Sequence, residues 1–440
     1  MKKIYIFISF ILLSVFLNSF LYSPHLIDIV TNQNVTNCFL QWPKLRLFIE
    51  PFYAFSYYIL TLERSGYILA ISSWSFWILA FVITFSIYRK ETIKRTIAYC
   101  LWSLFFLITI IYAVIILPVI GPKLVISSDY KVADIHSHTI ASKDNISNVL
   151  SSINYHNKQG FTDFFITEHD NTNGFYSIPC DIDSSNIFPG IQIRTSEGVS
   201  VLLLSKYQFR YRDYQDKSIK EMIDLAHAEG ILVVMPHWWK WHRPGLQELV
   251  NMGIDGFEIY NCGYRYISQQ TRQEIIDICN KNKLLMFGTT DWHGLGYMTN
   301  VWTVIKKNGD NNLFKLLSLK SDTQIIVHDV KGNQSIIRYI FEPFSAFYYY
   351  IINTELKYVL NFYMLISIVL LLFVKVKFNK ILRFSSLLFA LFFSIVLFYF
   401  SYILSFNLMT NVIIPETILP VTISLTVIWI VIWSLSDKNI

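Results

Sequence analysis

The stretch Asp134-Ile-His136-Ser-His138-Thr139 is the part of the sequence on which the interpretation of the whole chain depends. It predicts the end of a β-strand that begins near Val132, with Asp134, His136 and His138 on one face because strand side chains alternate. Two imidazoles and a carboxylate at one strand end suit a divalent metal ion. A polar strand end without a metal is the alternative, because so short a motif also arises by chance.

The 440-residue chain combines membrane-like and soluble stretches. It is 53% hydrophobic and 15% charged, whereas a typical soluble domain is about 25% charged. Six apolar runs are long enough to cross about 30 Å of hydrocarbon as helices. They lie near residues 4–22, 67–88, 96–119, 358–374, 384–406 and 412–435. The sequence therefore predicts an all-α transmembrane region of about six helices, in residues 1–121 and 333–440, with a soluble domain over 122–332 inserted in it.

The basic residues predict how this region is oriented. The net charge is +6, and the cations cluster at residues 2–3, 89–95 and 375–383. Positive charge in short loops marks the cytoplasmic side, so both termini are expected inside and the inserted domain outside the cytoplasm. The first run is interpreted as a retained anchor, because no small-x-small cleavage site follows it. No basic run lies in the soluble domain, so no nucleic-acid partner is expected.

An internal repeat flanks the soluble domain. Residues 46–59 read Arg-Leu-Phe-Ile-Glu-Pro-Phe-Tyr-Ala-Phe-Ser-Tyr-Tyr-Ile, and residues 338–351 read Arg-Tyr-Ile-Phe-Glu-Pro-Phe-Ser-Ala-Phe-Tyr-Tyr-Tyr-Ile. The prolines suit a first helical turn, and the aromatic residues suit the membrane–water interface. We expect interfacial helices over residues 46–60 and 338–352, each followed by two spans. Ordinary aromatic-rich loops are the alternative.

The soluble domain alternates predicted strands and helices, which is typical of an α/β fold with a parallel sheet or barrel. The predicted strands are 132–138, 161–167, 191–195 with 201–204, 231–235, 256–260, 284–289 and 324–328. The predicted helices are 146–157, 219–229, 246–251, 269–282 and 313–319. The five cysteines show no zinc-type spacing, and a disulfide among the four outside the predicted spans stays open.

Histidines and carboxylates recur where these strands end. Nine of the ten histidines fall in the domain, and five follow a predicted strand. These five are His136, His138, His169, His237 and His293. Because catalytic side chains of α/β folds collect at the carboxyl ends of the strands, we expect these residues to meet. His156 and His227, within predicted helices, are expected to be packed or surface residues, and His328 has no polar cluster beside it.

With these residues in view, the domain resembles the PHP superfamily (polymerase and histidinol phosphatase), whose members are mostly metal-dependent phosphoesterases. The resemblance covers residues 131–330. It rests on Asp-x-His-x-His-Thr at 134–139, Ile-Thr-acid-His at 166–169, Pro-Gly-Ile at 189–191, a strand-end histidine at 237, Asp-Gly-Phe-Glu-Ile-Tyr-Asn at 255–261 and Asp-x-His-Gly at 291–294. It implies a distorted seven-stranded β/α barrel holding two or three divalent ions, zinc, manganese or iron, in its mouth.

The resemblance also implies which residues bind the metals. His136, His138 and Asp291 would hold one ion and form the catalytic centre, and His237 would belong to a second. The third ion would be held by His169 and His293, with Asp144 as a helper. Glu258 and Asn261 match a motif that looks structural.

Two positions depart from the family pattern. The family usually has a glutamate that bridges two metals where this chain has Gln192, a neutral and poorer bridge, so fewer ions are also possible. Glu197 is the nearby carboxylate that would substitute for it. Glu168 stands where the family usually has aspartate.

Cations near the strand ends are candidate contacts for a substrate phosphate, because guanidinium groups bind phosphate in a bidentate manner. These candidates are Arg194, Lys240, His242, Arg243 and Arg265. Residues 237–244 also hold three tryptophans, for which substrate stacking, docking at the bilayer interface and core packing stay open.

The sequence thus predicts a membrane-anchored, metal-dependent phosphoesterase that acts on the extracytoplasmic side. Its substrate would be a phosphorylated small molecule or a lipid-linked phosphate. Paired metal ions would supply hydroxide and stabilise phosphoryl charge. The alternative is a catalytically weak or inactive binding or sensory module carried by the membrane region.

Overall fold

The computed structural model describes residues 2–21, 26–60, 64–116, 121–142, 144–145, 147–264, 267–294, 300–318, 322–328 and 339–374. The predicted spans at 384–406 and 412–435 and the candidate Arg265 lie outside these residues. The α-helices among the described residues are α1 (Lys2–Leu21), α2 (Glu50–Leu60), α3 (Arg64–Tyr88), α4 (Ile93–Ile116), α5 (Val149–Gln159), α6 (Asn173–Tyr176), α7 (Ile219–Ala228), α8 (Leu246–Met252), α9 (Gln269–Asn282), α10 (Leu313–Ser318), α11 (Glu342–Asn353) and α12 (Leu356–Val374).

The strands form one large mixed sheet and one small one. They are β1 (Leu26–Asp28), β2 (Gln33–Asn34), β3 (Cys38–Gln41), β4 (Lys123–Ile126), β5 (Tyr130–Asp134), β6 (Asp163–His169), β7 (Ile187–Arg194), β8 (Ser200–Leu204), β9 (Leu232–Met235), β10 (Gly256–Asn261), β11 (Leu285–Thr289), β12 (Val301–Lys306) and β13 (Thr323–His328). The large sheet has the order β11-β10-β9-β8-β7-β6-β5-β12-β13-β1-β2, and β3 pairs with β4. The predicted α/β fold is confirmed at this level.

The directions of the strands bring the carboxyl ends of six of them to one side of the sheet. Strands β5, β6 and β7 pair in parallel, as do β9, β10 and β11. Strand β8 is antiparallel to both β7 and β9, so these six strands run in one direction. Their carboxyl ends therefore face the same side of the sheet.

The sheet also curls, so that the segments after β5 and β11 meet. Ser137 and Trp292 form a parallel bridge, and the amide of Asp291 donates to the carbonyl oxygen of His136 at 2.8 Å. Gly288 in β11 makes a close approach to β12, since a Cβ there would lie 2.3 Å from Val301 Cγ2. This curl brings two motifs about 155 residues apart into contact.

Several predicted boundaries were wrong. Strand β5 ends at Asp134, so His136 and His138 lie in the irregular segment that follows it. The Asp134 carboxylate does not face a metal pocket. It accepts hydrogen bonds from Thr290 and lies 3.0 Å from Nε2 of the buried His156. Strand β12 was not predicted, and neither were β1 to β3, which lie between residues 26 and 41.

Two described helices are long and apolar enough to cross a membrane. Their qualifying stretches are Ile68–Tyr88 and Ile93–Ile111, and α1 has a shorter apolar stretch, Ile8–Leu21. The topology with six spans stays a prediction. His328, at the end of β13, connects the large sheet to helix α2. Its Nδ1 lies 3.0 Å from the hydroxyl of Tyr57 in α2.

The two repeat copies contact each other through equivalent residues. The hydroxyl of Tyr58 in α2 donates to Glu342 Oε1 of α11 at 2.5 Å, and the hydroxyl of Tyr350 in α11 donates to Glu50 Oε1 of α2 at 2.7 Å. Tyr58 and Tyr350 hold the same position in the repeat, as do Glu50 and Glu342. Such reciprocal contacts are what a two-fold relation between two similar units produces.

Removing one of these hydroxyls is expected to destabilise the packing of α2 against α11. Tyr350→Phe leaves the buried Glu50 without one donor, and a hydrogen bond to a charged group contributes about 2 kcal/mol. Tyr58→Phe is expected to cost a similar amount because it removes the equivalent bond. Thermal unfolding of the detergent-solubilised chain measures both losses. Tyr348→Phe is the control, because Tyr348 is 47% exposed on the same helix, and equal unfolding temperatures for Y350F and Y348F would contradict the prediction.

Candidate metal centre

The ends of five strands contribute side chains to one buried pocket. His136 and His138 follow β5, His169 ends β6, Gln192 lies in β7, His237 follows β9, and Asp291 and His293 follow β11. His237 and Asp291 have positive φ angles of 30° and 47°. Such backbone strain is typical of functional sites, where the surrounding structure fixes it.

Three histidines form one end of this pocket, here called the triad end. The ring centroid of His138 lies 4.3 Å from that of His169 and 4.4 Å from that of His293. One nitrogen from each of the three rings lies within 4.8 Å of the other two. Asp144 Oδ2 lies 3.3 Å from His169 Nε2 and 3.2 Å from His293 Nε2. Three imidazoles and one carboxylate are a sufficient number of ligands for one divalent cation.

Asp291 lies at the centre of the pocket. Its Oδ1 is 3.4 Å from His136 Nε2, 3.3 Å from His138 Nε2 and 3.6 Å from His293 Nδ1. His136, His138 and Asp291 thus form a second candidate metal-binding group. A Cβ at position 263 would lie 2.5 Å from Asp291 Oδ2, so glycine at this position leaves room for the carboxylate.

The other end of the pocket, here called the amide end, consists of His136, Gln192 and His237. Gln192 Oε1 lies 3.1 Å from His136 Nε2, and Gln192 Nε2 donates to His237 Nε2 at 3.2 Å. All three side chains are buried. The amide therefore lies between the two imidazoles.

Hydrogen bonds at Nδ1 orient three of the rings. His136 Nδ1 donates to Glu258 Oε1 at 2.7 Å, and His293 Nδ1 donates to the carbonyl oxygen of Asp291 at 2.8 Å. His138 Nδ1 donates to Ser142 Oγ at 3.1 Å, because the Ser142 hydroxyl itself donates to Glu168. Each ring is left with Nε2 towards the pocket, as metal-binding histidines are.

One of these nitrogens has the clearest need for a ligand. His138 Nε2 is buried and makes no hydrogen bond within the described part of the chain. A buried polar atom without a partner is costly and calls for an explanation. A divalent cation between His138, Asp291 and the other two triad rings would satisfy it, so the residues fit a metal.

Charges within the pocket shift its pKa values. Burial and the neighbouring His293 lower the pKa of His138, which keeps this imidazole neutral. Burial acts to lower the pKa of His136, but the carboxylates of Asp291 and Glu258 outweigh it and raise the pKa to about 9. Burial would raise the pKa of Asp291, yet His136 and the other imidazoles hold it well below its usual value. Asp291 therefore stays ionised and is available as an anionic ligand for a cation.

Two buried glutamates support the site: sequence reasoning expected a structural role for Glu258 without its partners, and it missed the role of Glu168. Glu258 accepts hydrogen bonds from His136, the amide of His237, Asn261 and Thr289. Glu168 accepts from the amide and hydroxyl of Thr139 and from Ser142, so it fixes the turn after His138. A glutamate within a strand of buried residues, as at both positions, was the available signal.

The structure does not bring Glu197 into the pocket. This residue is exposed, and its carboxylate accepts hydrogen bonds from the amide of Ile219, the first residue of α7. Carboxylates are favoured at helix N-termini because of the unpaired amides and the helix dipole. The suggestion that Glu197 replaces a bridging glutamate was therefore wrong.

Among the described candidates for phosphate contact, only Lys240 contacts a residue that packs against a pocket histidine. Lys240 Nζ donates to the Tyr264 hydroxyl at 2.8 Å, and the Tyr264 ring lies 4.8 Å from that of His237. Arg194, His242 and Arg243 are exposed, without a described contact to the metal-binding groups.

The segment of residues 237–244, with its three tryptophans, packs mainly in the hydrophobic core. Trp238 and Trp239 are buried in the largest core cluster, and Trp241 packs against it. The indole nitrogen of Trp238 donates to the carbonyl oxygen of Pro244, and that of Trp239 donates to the carbonyl oxygen of Tyr264. Of the three interpretations that the sequence left open, core packing accounts for these two residues.

Comparisons with known proteins give weak matches only. Neither a protein-family profile nor a curated relative matches the chain. A solved candidate metal-dependent phosphoesterase from Bifidobacterium adolescentis is 17% identical over 37% of this chain and 88% of its own, with a TM-score of 0.31. A two-domain protein from Bacteroides vulgatus, containing a predicted PHP-like metal-dependent phosphoesterase, is 17% identical over 48% and 69%, with a TM-score of 0.32.

An amidohydrolase from Chromobacterium violaceum, solved with bound sulfate and no metal, is 11% identical over 44% of this chain and 97% of its own, with a TM-score of 0.31. At these identities and TM-scores, the similarity assigns neither a substrate nor site residues to this chain.

Proposed function

We propose that this chain is a membrane-anchored, metal-dependent phosphoesterase that hydrolyses a phosphate ester on the extracytoplasmic side. The observation that carries the proposal is the convergence of four histidines and two aspartates, from distant parts of the chain, in one pocket. Histidine with aspartate is a typical ligand set of catalytic zinc, manganese and iron. The substrate would be a phosphorylated small molecule or a lipid-linked phosphate.

The residues divide into those that bind the metal and those that hold them in place. His138, His169, His293, Asp144 and Asp291 would hold a divalent cation. When bound, such an ion activates water and stabilises charge on phosphoryl oxygens.

Other residues would act on the ligands or on the substrate. Glu258 keeps the proton of His136 at Nδ1, so that Nε2 faces the pocket. Lys240 would attract the phosphate, because its ammonium group lies on the Tyr264 ring beside His237. Removal of that charge is expected to weaken substrate binding more than turnover.

Hydrolysis of an aryl phosphate tests the activity. The purified chain, reconstituted in detergent with zinc or manganese, is expected to release phenolate and to lose this activity when EDTA removes the metal. Restoration by the metal separates chelation from denaturation. Hydrolysis that survives exhaustive EDTA treatment would rule out metal-dependent catalysis.

The extracytoplasmic placement of the domain is proposed from the distribution of basic residues and from the apolar helices α3 and α4. Cys180 offers a direct test, because it is exposed in the soluble domain, whereas Cys38, Cys262 and Cys279 are buried. Burial also raises the pKa of Cys38 and Cys279, which lowers their reactivity.

A membrane-impermeant maleimide applied to intact cells is expected to label the wild-type chain and not Cys180→Ser. Labelling of Cys180 that requires permeabilised cells would place the domain in the cytoplasm.

A binding or sensory module is the second candidate function. It is favoured by one observation: a neutral amide, Gln192, lies between two potential metal ligands. Such a module would bind a metal and a phosphorylated ligand without releasing inorganic phosphate. Binding of phosphate to the metal-loaded chain, without hydrolysis of aryl or alkyl phosphates, would favour it over the enzyme.

A further inference from the structure

The triad end and the amide end of the pocket are chemically unequal. At the triad end, Asp144 and Asp291 supply anionic oxygens beside three imidazoles. At the amide end, the group facing His136 and His237 is the neutral side chain of Gln192. The two ends differ in charge far more than in the number of imidazoles.

No other described carboxylate serves the amide end in place of Gln192. Glu258 contacts His136 from the Nδ1 side, and each of its oxygens already accepts two hydrogen bonds. Asp291 Oδ1 faces His138 and His293 as well as His136. A second cation at the amide end would therefore have to share Asp291 with the first.

An amide also differs from a carboxylate in how it fills this gap. The Gln192 amide points one of its two terminal atoms, Oε1 or Nε2, at each imidazole. This is true whichever of the two atoms is the oxygen. Only an oxygen binds a cation, since the amide nitrogen carries two protons. The side chain can thus offer a ligand atom towards one ring at a time, and it cannot join two cations as a carboxylate does.

We propose that Gln192 restricts this pocket to one metal ion, held at the triad end by His138, His169 and His293 with Asp291 and Asp144. The amide end then works as a hydrogen-bonded wall beside that ion. This inference rests on the proposed function, because it concerns the same pocket. It assigns to Gln192 the role of setting the number of metal ions.

Metal counting on the wild-type chain is the first test. The full chain in detergent is loaded with zinc, freed of excess metal by gel filtration, and measured by mass spectrometry against protein concentration. One equivalent supports the inference. Two or three equivalents would overturn it and leave the proposed function intact, whereas no metal at all would overturn both.

Substitutions at the two ends locate the ion. His169→Ala is expected to lose the single equivalent of zinc, with zinc affinity reduced by more than about tenfold, because it removes a triad ligand. His237→Ala is expected to retain this zinc ion. Loss of metal in H237A together with full retention in H169A would place the ion at the amide end and overturn the inference.

Gln192→Glu tests the cause. The added carboxylate is expected to raise zinc content from one to two equivalents, and manganese is expected to change from an isolated-ion signal to a spin-coupled pair in electron paramagnetic resonance. Gln247→Glu, on the exposed face of α8, is the matched control for added charge and is expected to stay at one. A folded Q192E that still binds one ion would overturn the role of Gln192. If Q192E does not fold, the wild-type count and the manganese signal of the wild-type chain still decide the number.

Discussion

Asp291→Asn is expected to abolish the proposed phosphoesterase activity while leaving the fold intact. The asparagine has nearly the same shape, but its amide places no negative charge between His136, His138 and His293. Changes to residues that only support a metal ligand typically cost 10- to 100-fold. Loss of the central anionic ligand is therefore expected to reduce both metal affinity and turnover by more than about 100-fold.

Two measurements separate this effect from a general loss of structure. Asp277→Asn, on the exposed side of α9, removes a carboxylate of the same size far from any pocket residue and is expected to behave as wild type. Far-UV circular dichroism of D291N is expected to match the wild-type spectrum. Metal content and turnover in D291N equal to those of D277N would remove the metal centre from the mechanism.

The sequence predicted the pocket better than it predicted the strands around it. Alternation of apolar strands with polar strand ends predicted that His136, His169, His237 and Asp291 would lie on one side of a sheet, and the structure brings them together. The roles of these residues as ligands stay predictions. The pairing of Ser137 with Trp292 that joins the first and last motifs has no local signal, because it depends on the curl of the whole sheet.

Individual side chains were harder to predict where a local contact competes with the site. Asp134 shares the predicted face with His136, but Thr290 and His156 bind its carboxylate once the strand ends. Glu197 lies close to Gln192 in sequence, but the free amides at the start of α7 bind it instead. Both outcomes depend on tertiary neighbours that periodicity does not contain.

The failure to predict strand β12 has a different cause. Its sequence, Val301-Trp-Thr-Val-Ile-Lys306, is rich in residues that favour strands, so a signal was present. In the structure it pairs with both β5 and β13 in antiparallel fashion. A regular alternation of strand and helix leaves no place for such a strand, which is why the pattern was not recognised.

Glu258→Gln is expected to have the second large effect, on the stability of the metal-free chain. Glu258 Oε1 accepts from His136 Nδ1 and Thr289 Oγ1, both at 2.7 Å. Its Oε2 accepts from the amide of His237 at 2.8 Å and from Asn261 Nδ2 at 3.0 Å. An amide nitrogen at the Oε2 position would face two N–H donors, and at the Oε1 position it would require His136 to give up its Nδ1 proton and Thr289 to accept instead of donate. Breaking a buried charged network from one side costs about 3–5 kcal/mol.

The pH dependence of stability gives this prediction a direction. Burial acts to raise the pKa of Glu258, but His136 outweighs it and lowers the pKa, so its stabilising effect is present above 4.5 and lost as pH falls through the lowered value. The pKa of His136 is raised to about 9, so its contribution is complete below 6.5 and is lost as pH rises towards 9. The metal-free wild-type chain is therefore expected to be most stable between pH 4.5 and pH 6.5, where both contributions are present.

In E258Q the acid slope due to Glu258 is expected to disappear, and the alkaline slope due to His136 is expected to become shallower, because His136 keeps Asp291 but loses Glu258. Metal affinity is expected to change much less, because Glu258 supports His136 at the amide end, whereas the proposed ion is held at the triad end. Denaturant unfolding of the metal-free chain between pH 4 and pH 9 measures the first effect, and zinc titration measures the second. Glu274→Gln, on the exposed face of α9, is the control. A stability profile for E258Q that is parallel to that of E274Q would show that Glu258 does not hold His136 in its charged form, and the orientation of that ring would then need another cause.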